Sequence, residues 1–175
     1  SANTALSSYQ EVTAPFPGTP LGNQMKQVAR MIKKRNELNI NRQMFFVELR
    51  GFDTHQNQLY GPTSQTALLL QVSQAMRAFY DEMVEQGLSN QVTSFTLSDF
   101  GRTMGASGTG SGVGTDHGWG NHMFVLGGAV SGGDLYGSLR PDGSGEIFPN
   151  LRTGGPDDID NDGSPRGRWL PTTSV

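Results

Sequence analysis

The chain has no cysteine among its 175 residues, which excludes a disulfide framework and a thiolate-held metal. No run approaches the ~20 apolar residues that a membrane-spanning helix requires, and no signal-peptide pattern stands at the start. Positive charge is also short: 13 Lys and Arg against 16 Asp and Glu leave a formal charge of −3. Such a surface offers no field for nucleic acid or an anionic membrane. A small anionic substrate remains compatible, because a bound cation supplies local positive charge. The opening Ser1-Ala2-Asn3-Thr4 lacks an initiator methionine and reads as a processed or fragmentary chain.

What the chain has in excess is glycine, 24 residues and about twice ordinary usage. Most of the surplus follows Gly101, so the second half reads as loop-dominated and the whole as part of a larger domain. Residues 1–20, with Pro15, Pro17 and Pro20, read as an extended lead-in, and 21–175 as one partial α/β domain. Leu21, Met25, Val28, Ala29 and Ile32 recur at helical spacing, with Arg30, Lys33, Lys34 and Arg35 on the wet side. Gln43–Leu49 predicts a buried strand ending at Gly51. Gly61-Pro62 opens a long helix with Leu68, Val72, Ala75, Met76, Phe79 and Met83 on one face and Gly87 as its stop. Val92–Leu97 and Met123–Leu126 predict two further strands. The order helix, strand, helix, strand, loop, strand predicts an α/β architecture with a largely parallel sheet flanked by helices.

The three histidines fall in two short stretches, Gly51-Phe52-Asp53-Thr54-His55 and Thr115-Asp116-His117-Gly118-Trp119-Gly120-Asn121-His122. Imidazole with carboxylate on a loop is ligand chemistry for a divalent transition metal, zinc first. Asp53 and His55 read as ligands, or as a turn-capping aspartate beside a structural histidine. Asp116 and His117 read as a ligand pair, as a ligand with the group that orients it, or as an ordinary turn. His122 reads equally as a structural histidine. Asp53 and His55 sit just past the first expected strand and Asp99 just past the second, where parallel sheets collect ligands. Ser98-Asp99-Phe100-Gly101-Arg102 offers a ligand at Asp99 and an anion clamp at Arg102, or a salt bridge between loops. Gly105–Gly114 has no lysine and no following helix, so it predicts a flexible lid or disorder rather than a phosphate loop. Asp158-Ile159-Asp160-Asn161-Asp162-Gly163 opens like a calcium loop, but Trp169 stands where an EF-hand needs glutamate. An irregular calcium site or an acidic turn is left.

These motifs, with Gly127-Gly128 and Gly167-Arg168-Trp169-Leu170-Pro171-Thr172-Thr173-Ser174, resemble the C-terminal part of the bacterial domain-of-unknown-function 1501 family. The resemblance runs from Phe45 to Val175. That family is similar to the alkaline phosphatase and sulfatase superfamily, which implies an alkaline phosphatase-like fold and metal-dependent hydrolysis of a phosphate or sulfate ester. By that resemblance Asp53, His55 and His117 hold the first ion, zinc before manganese or calcium. Leu97-Ser98-Asp99-Phe100-Gly101 resembles the second-ion turn, with phenylalanine where histidine is expected. The superfamily's serine or threonine nucleophile has no counterpart in residues 1–42. Export signals in the resembling family imply a periplasmic or extracellular setting. Two rival readings are a binding or scaffolding module that kept the fold without the chemistry, and a calcium-stabilised exported structural protein.

Overall fold

The computed structural model describes residues 12–39, 41–118 and 122–133. They form α1 (Pro20–Lys33), α2 (Gln65–Glu85) and four short strands: β1 (Ser94–Phe95), β2 (Gly101–Ala106), β3 (Thr115–Gly118) and β4 (Val125–Leu126). The chain divides into two compact units. Described residues 12–39, 41–52, 65–95 and 125–130 belong to the first, and 53–64, 96–118, 122–124 and 131–133 to the second.

In the first unit α1 starts where its sequence signals it. The Thr19 hydroxyl accepts from the Gly22 amide at 3.1 Å, and Pro20 occupies a first-turn position that needs no N–H. Its apolar stripe, Leu21, Met25, Ala29 and Ile32, packs with Ala75, Phe79 and Met83 of α2 and with Val12 and Leu88. Gly87 ends α2 in the left-handed region at φ 69°. There the Leu88 amide donates to the Met83 carbonyl and the Gly87 amide to the Val84 carbonyl, which satisfies two of the helix's last carbonyls.

Glu82 lies inside this helix pair with no solvent exposure. Its Oε2 accepts from the Thr13 amide at 2.8 Å and the Ala14 amide at 3.0 Å, and its Oε1 accepts from Gln86 Nε2 at 2.9 Å. Burial pushes the carboxyl upward. The bonds from Ala14, Gln86 and Thr13 outweigh it, and the group is held below the ordinary glutamate range.

The sheet expectations need correcting. Gln43–Leu49 alternates in burial as a strand does, with Phe45, Val47 and Leu49 against the core and Met44 and Phe46 exposed by 95% and 86%. Yet it pairs with no strand among the described residues. Instead the Gln24 side-chain amide of α1 takes both backbone groups of Glu48, at 2.9 and 3.0 Å, in place of a neighbouring strand. The described sheets are two-stranded and antiparallel, β1 with β4 and β2 with β3, where a parallel sheet was expected. The chain is thus a mixed α and β protein whose described strands pair across loops and not through helical crossovers. The Asp158–Asp162 run and the Gly167–Ser174 motif lie outside the described residues.

Because the folded Glu82 carboxyl is depressed, its stabilisation is full above the unfolded value of about 4.3 and is lost as pH falls through the folded value. Glu82→Gln is expected to cost about 1–2 kcal/mol at pH 7, the margin of charge-assisted over neutral hydrogen bonds. Urea unfolding of both proteins should show that gap closing below pH 4. A gap that stays constant with pH would refute the assignment.

Candidate metal centre

The site is built wholly within the second unit, from the turn at Asp53–His55 and the ribbon of β2 and β3. In the ribbon Arg102 faces His117, and Gly101 faces Gly118. The register then slips before Ala106 meets Thr115. Thr103 occupies this irregular stretch, buried, and its hydroxyl accepts the Asp116 amide at 3.1 Å while donating to the Gly105 carbonyl at 2.9 Å. A side chain thereby replaces the lost ladder bond and orients the Asp116-His117 pair.

Residues 105–114, expected as a lid or disorder, fold back on the turn that carries His55. The Asn57 amide donates to the Gly112 carbonyl at 3.0 Å and the Thr115 amide to the Thr54 carbonyl at 3.4 Å. Ser107 Oγ donates to the His55 carbonyl at 3.0 Å, and Gln56 bridges Val113. Two glycines permit this approach. A Cβ on Gly114 would collide with the Thr54 and His55 carbonyl groups, and one on Gly118 would come within 2.7 Å of the Arg102 oxygen. The glycine surplus therefore serves close backbone packing at these two positions.

The outcome is a cluster centred on one oxygen. Asp53 Oδ1 lies 2.7 Å from His55 Nδ1, 2.8 Å from His117 Nε2 and 3.4 Å from Arg102 Nη1. One donor atom from each of Asp53, His55 and His117 falls within 4.8 Å of the other two. The bond from His117 holds the Asp53 carboxyl below the ordinary aspartate range against an opposing desolvation, with further help from the charges of His55, His117 and Arg102.

The remaining candidates take other places. Asp116 Oδ1 stands 3.9 Å from His55 Nε2, the nitrogen turned away from Asp53, and lies outside the three-residue group. Asp99 is exposed between β1 and β2, outside the three-residue group, and His122 is exposed ahead of β4. Arg102, expected as an anion clamp or as a salt bridge between loops, turns inward and makes the salt bridge. Its side chain is 10% exposed and reaches Asp53 and, at 3.3 Å, Thr54 Oγ1. Its Nε is buried without a hydrogen-bond partner among the described residues.

Two contributors escaped the sequence reading. Thr54, buried between the two candidate ligands, has no role in the sequence pattern yet accepts a hydrogen bond from Arg102. Phe100 was read only as a missing histidine, yet its ring stacks on His117 with centroids 4.1 Å apart and planes 7° off parallel. Its nearness to Arg102 and His117 in a glycine-flanked stretch was the available signal.

A mixed α and β chain that brings a carboxylate and an imidazole on a turn against a second imidazole on a two-stranded ribbon is thus the class defined by the structure. The family model described as "Protein of unknown function (DUF1501)" matches residues 1–147, and the chain belongs to that family. The match includes the motifs at Asp53, Asp99 and Asp116 and extends upstream of Phe45, while the Gly167–Ser174 motif lies beyond it. No curated protein and no solved structure matches the chain significantly.

The packing of Gly114 sets a stability test. Gly114→Ala is expected to cost about 1–3 kcal/mol through overpacking. Gly108→Ala, whose Cβ would meet only Val113 Cγ1 at 3.8 Å, should stay within about 0.5 kcal/mol of the parent. Equal denaturation midpoints for the two variants would contradict this.

Proposed function

We propose that the chain carries a metal-dependent hydrolytic site of the alkaline phosphatase kind, acting on a phosphate or sulfate ester in a periplasmic or extracellular setting. The observation that carries the reading is the convergence of His55 Nδ1 and His117 Nε2 on one Asp53 oxygen. Two imidazoles and a carboxylate are the donor set of catalytic zinc sites, which keep a further position open for water or substrate. Ligands of one tetrahedral zinc stand about 3.4 Å apart for bonds near 2.1 Å. Asp53 need draw back only a little from the two nitrogens, and its exposed side chain has room to do so.

When bound, zinc or a similar ion supplies Lewis acidity and local positive charge toward a substrate oxygen. The chain's own residues do the holding. Asp116 stands 3.9 Å from the far nitrogen of His55, and Nδ1 is the nitrogen turned toward Asp53. Arg102 orients the Asp53 carboxylate from beneath and lowers its affinity for protons. Because that guanidinium is already engaged, attraction of the anionic group falls to the ion itself.

A second reading, a binding module that retains the fold without turnover, is favoured by the same inward turn of Arg102. Phe100, which has no lone pair to offer a second ion, favours it too.

Elemental analysis of the purified protein should find zinc or a similar ion near one equivalent, and at least tenfold less in His55→Ala and His117→Ala. Unchanged metal in both variants sinks the centre. Aryl phosphate and sulfate esters, assayed on the full-length gene product with zinc or manganese, then separate enzyme from module. Turnover abolished by chelation supports hydrolysis, and metal content without turnover supports the module.

A further inference from the structure

We propose that Phe100 is the positioning residue of His117, fixing its ring plane by stacking. This rests on the reading of Asp53, His55 and His117 as a metal centre. A ligating histidine needs its ring plane fixed, and a polar partner on the far nitrogen ordinarily does so. Asp116 Oδ1 stands 3.9 Å from the Nε2 of His55, beyond direct hydrogen-bond reach. His117 makes no hydrogen bond through Nδ1 to any described residue. Its ring instead lies flat on Phe100, 4.1 Å between centroids and 7° between planes. Parallel rings at that separation resist rotation about the ring's own bond, which is the motion that would swing Nε2 off Asp53 Oδ1.

The same phenylalanine also meets the cation of the cluster. The Arg102 guanidinium carbon lies 5.5 Å from its ring centroid, within reach of a cation–π attraction. Phe100 therefore contacts two of the three groups that converge on Asp53.

Cobalt(II) titration of the full chain, followed by visible absorption, tests this alongside the imidazole NMR spectrum of the metal-free protein. Phe100→Leu is expected to weaken cobalt binding about tenfold and to abolish the upfield ring-current displacement of the His117 ring protons. Phe100→Tyr should restore both. Cobalt bound by Phe100→Leu as tightly as by the parent overturns the proposal, as does a folded Phe100→Tyr that stays tenfold weak. Should the parent itself take up no cobalt, the metal reading fails separately. The metal-free spectrum then decides alone, and His117 protons without ring-current displacement in the parent overturn the role of Phe100.

Discussion

One oxygen atom, Asp53 Oδ1, organises the second unit. Two imidazole nitrogens and a guanidinium converge on it from the turn at 53–55, from β3 and from β2. The carboxylate neutralises an arginine that is nine-tenths buried, a charge too costly to leave unpaired. For both histidines to donate to it, His55 must carry a proton on Nδ1 and His117 on Nε2. A cation asks the same nitrogens for lone pairs. The cluster can thus satisfy its carboxylate through protons or through a metal ion, and each state uses the same three side chains.

Holding that convergence falls to backbone geometry. A lone two-stranded ribbon is marginal in water, and the β2–β3 pair is further weakened by its irregular register. Residues 105–114 offset this by returning hydrogen bonds to the His55 turn, and Thr103 supplies a bond where the ladder slips. Gly114 and Gly118 flank the Thr115-Asp116-His117 run, and each lies against another backbone. Side-chain bulk at either position would force these backbones apart.

The first unit follows the ordinary logic of burial. Its two helices were readable from periodicity: the Leu21–Ile32 and Leu68–Met83 stripes face inward and Gly87 is the stop, although α1 starts at Pro20, inside the expected lead-in, and α2 at Gln65 rather than at Gly61-Pro62. Strand pairing was not readable. Gln43–Leu49 has the composition of a strand and alternates in burial, yet the backbone of Glu48 within it pairs with a glutamine side chain of α1. Composition reports whether a segment suits a pleated, half-buried surface. It does not report which segment lies alongside, because that partner is set by contacts remote in sequence. The helix-strand alternation pointed to parallel crossovers for the same reason: β2 and β3 hid in a glycine-rich stretch that propensity assigns to loop.

Residue chemistry alone determined which groups have metal-ligating capacity, since only imidazole and carboxylate among the clustered side chains carry suitable lone pairs. It likewise determined the helices, whose contacts are local and repeat every turn. The tertiary structure decided the rest. It joined Asp53 to His117 across 64 positions, turned Arg102 inward, set Asp116 behind His55 and laid Phe100 on His117. These outcomes depend on close approaches between distant backbones, permitted by the absence of a Cβ at Gly114 and Gly118, and no local pattern encodes where two such surfaces meet.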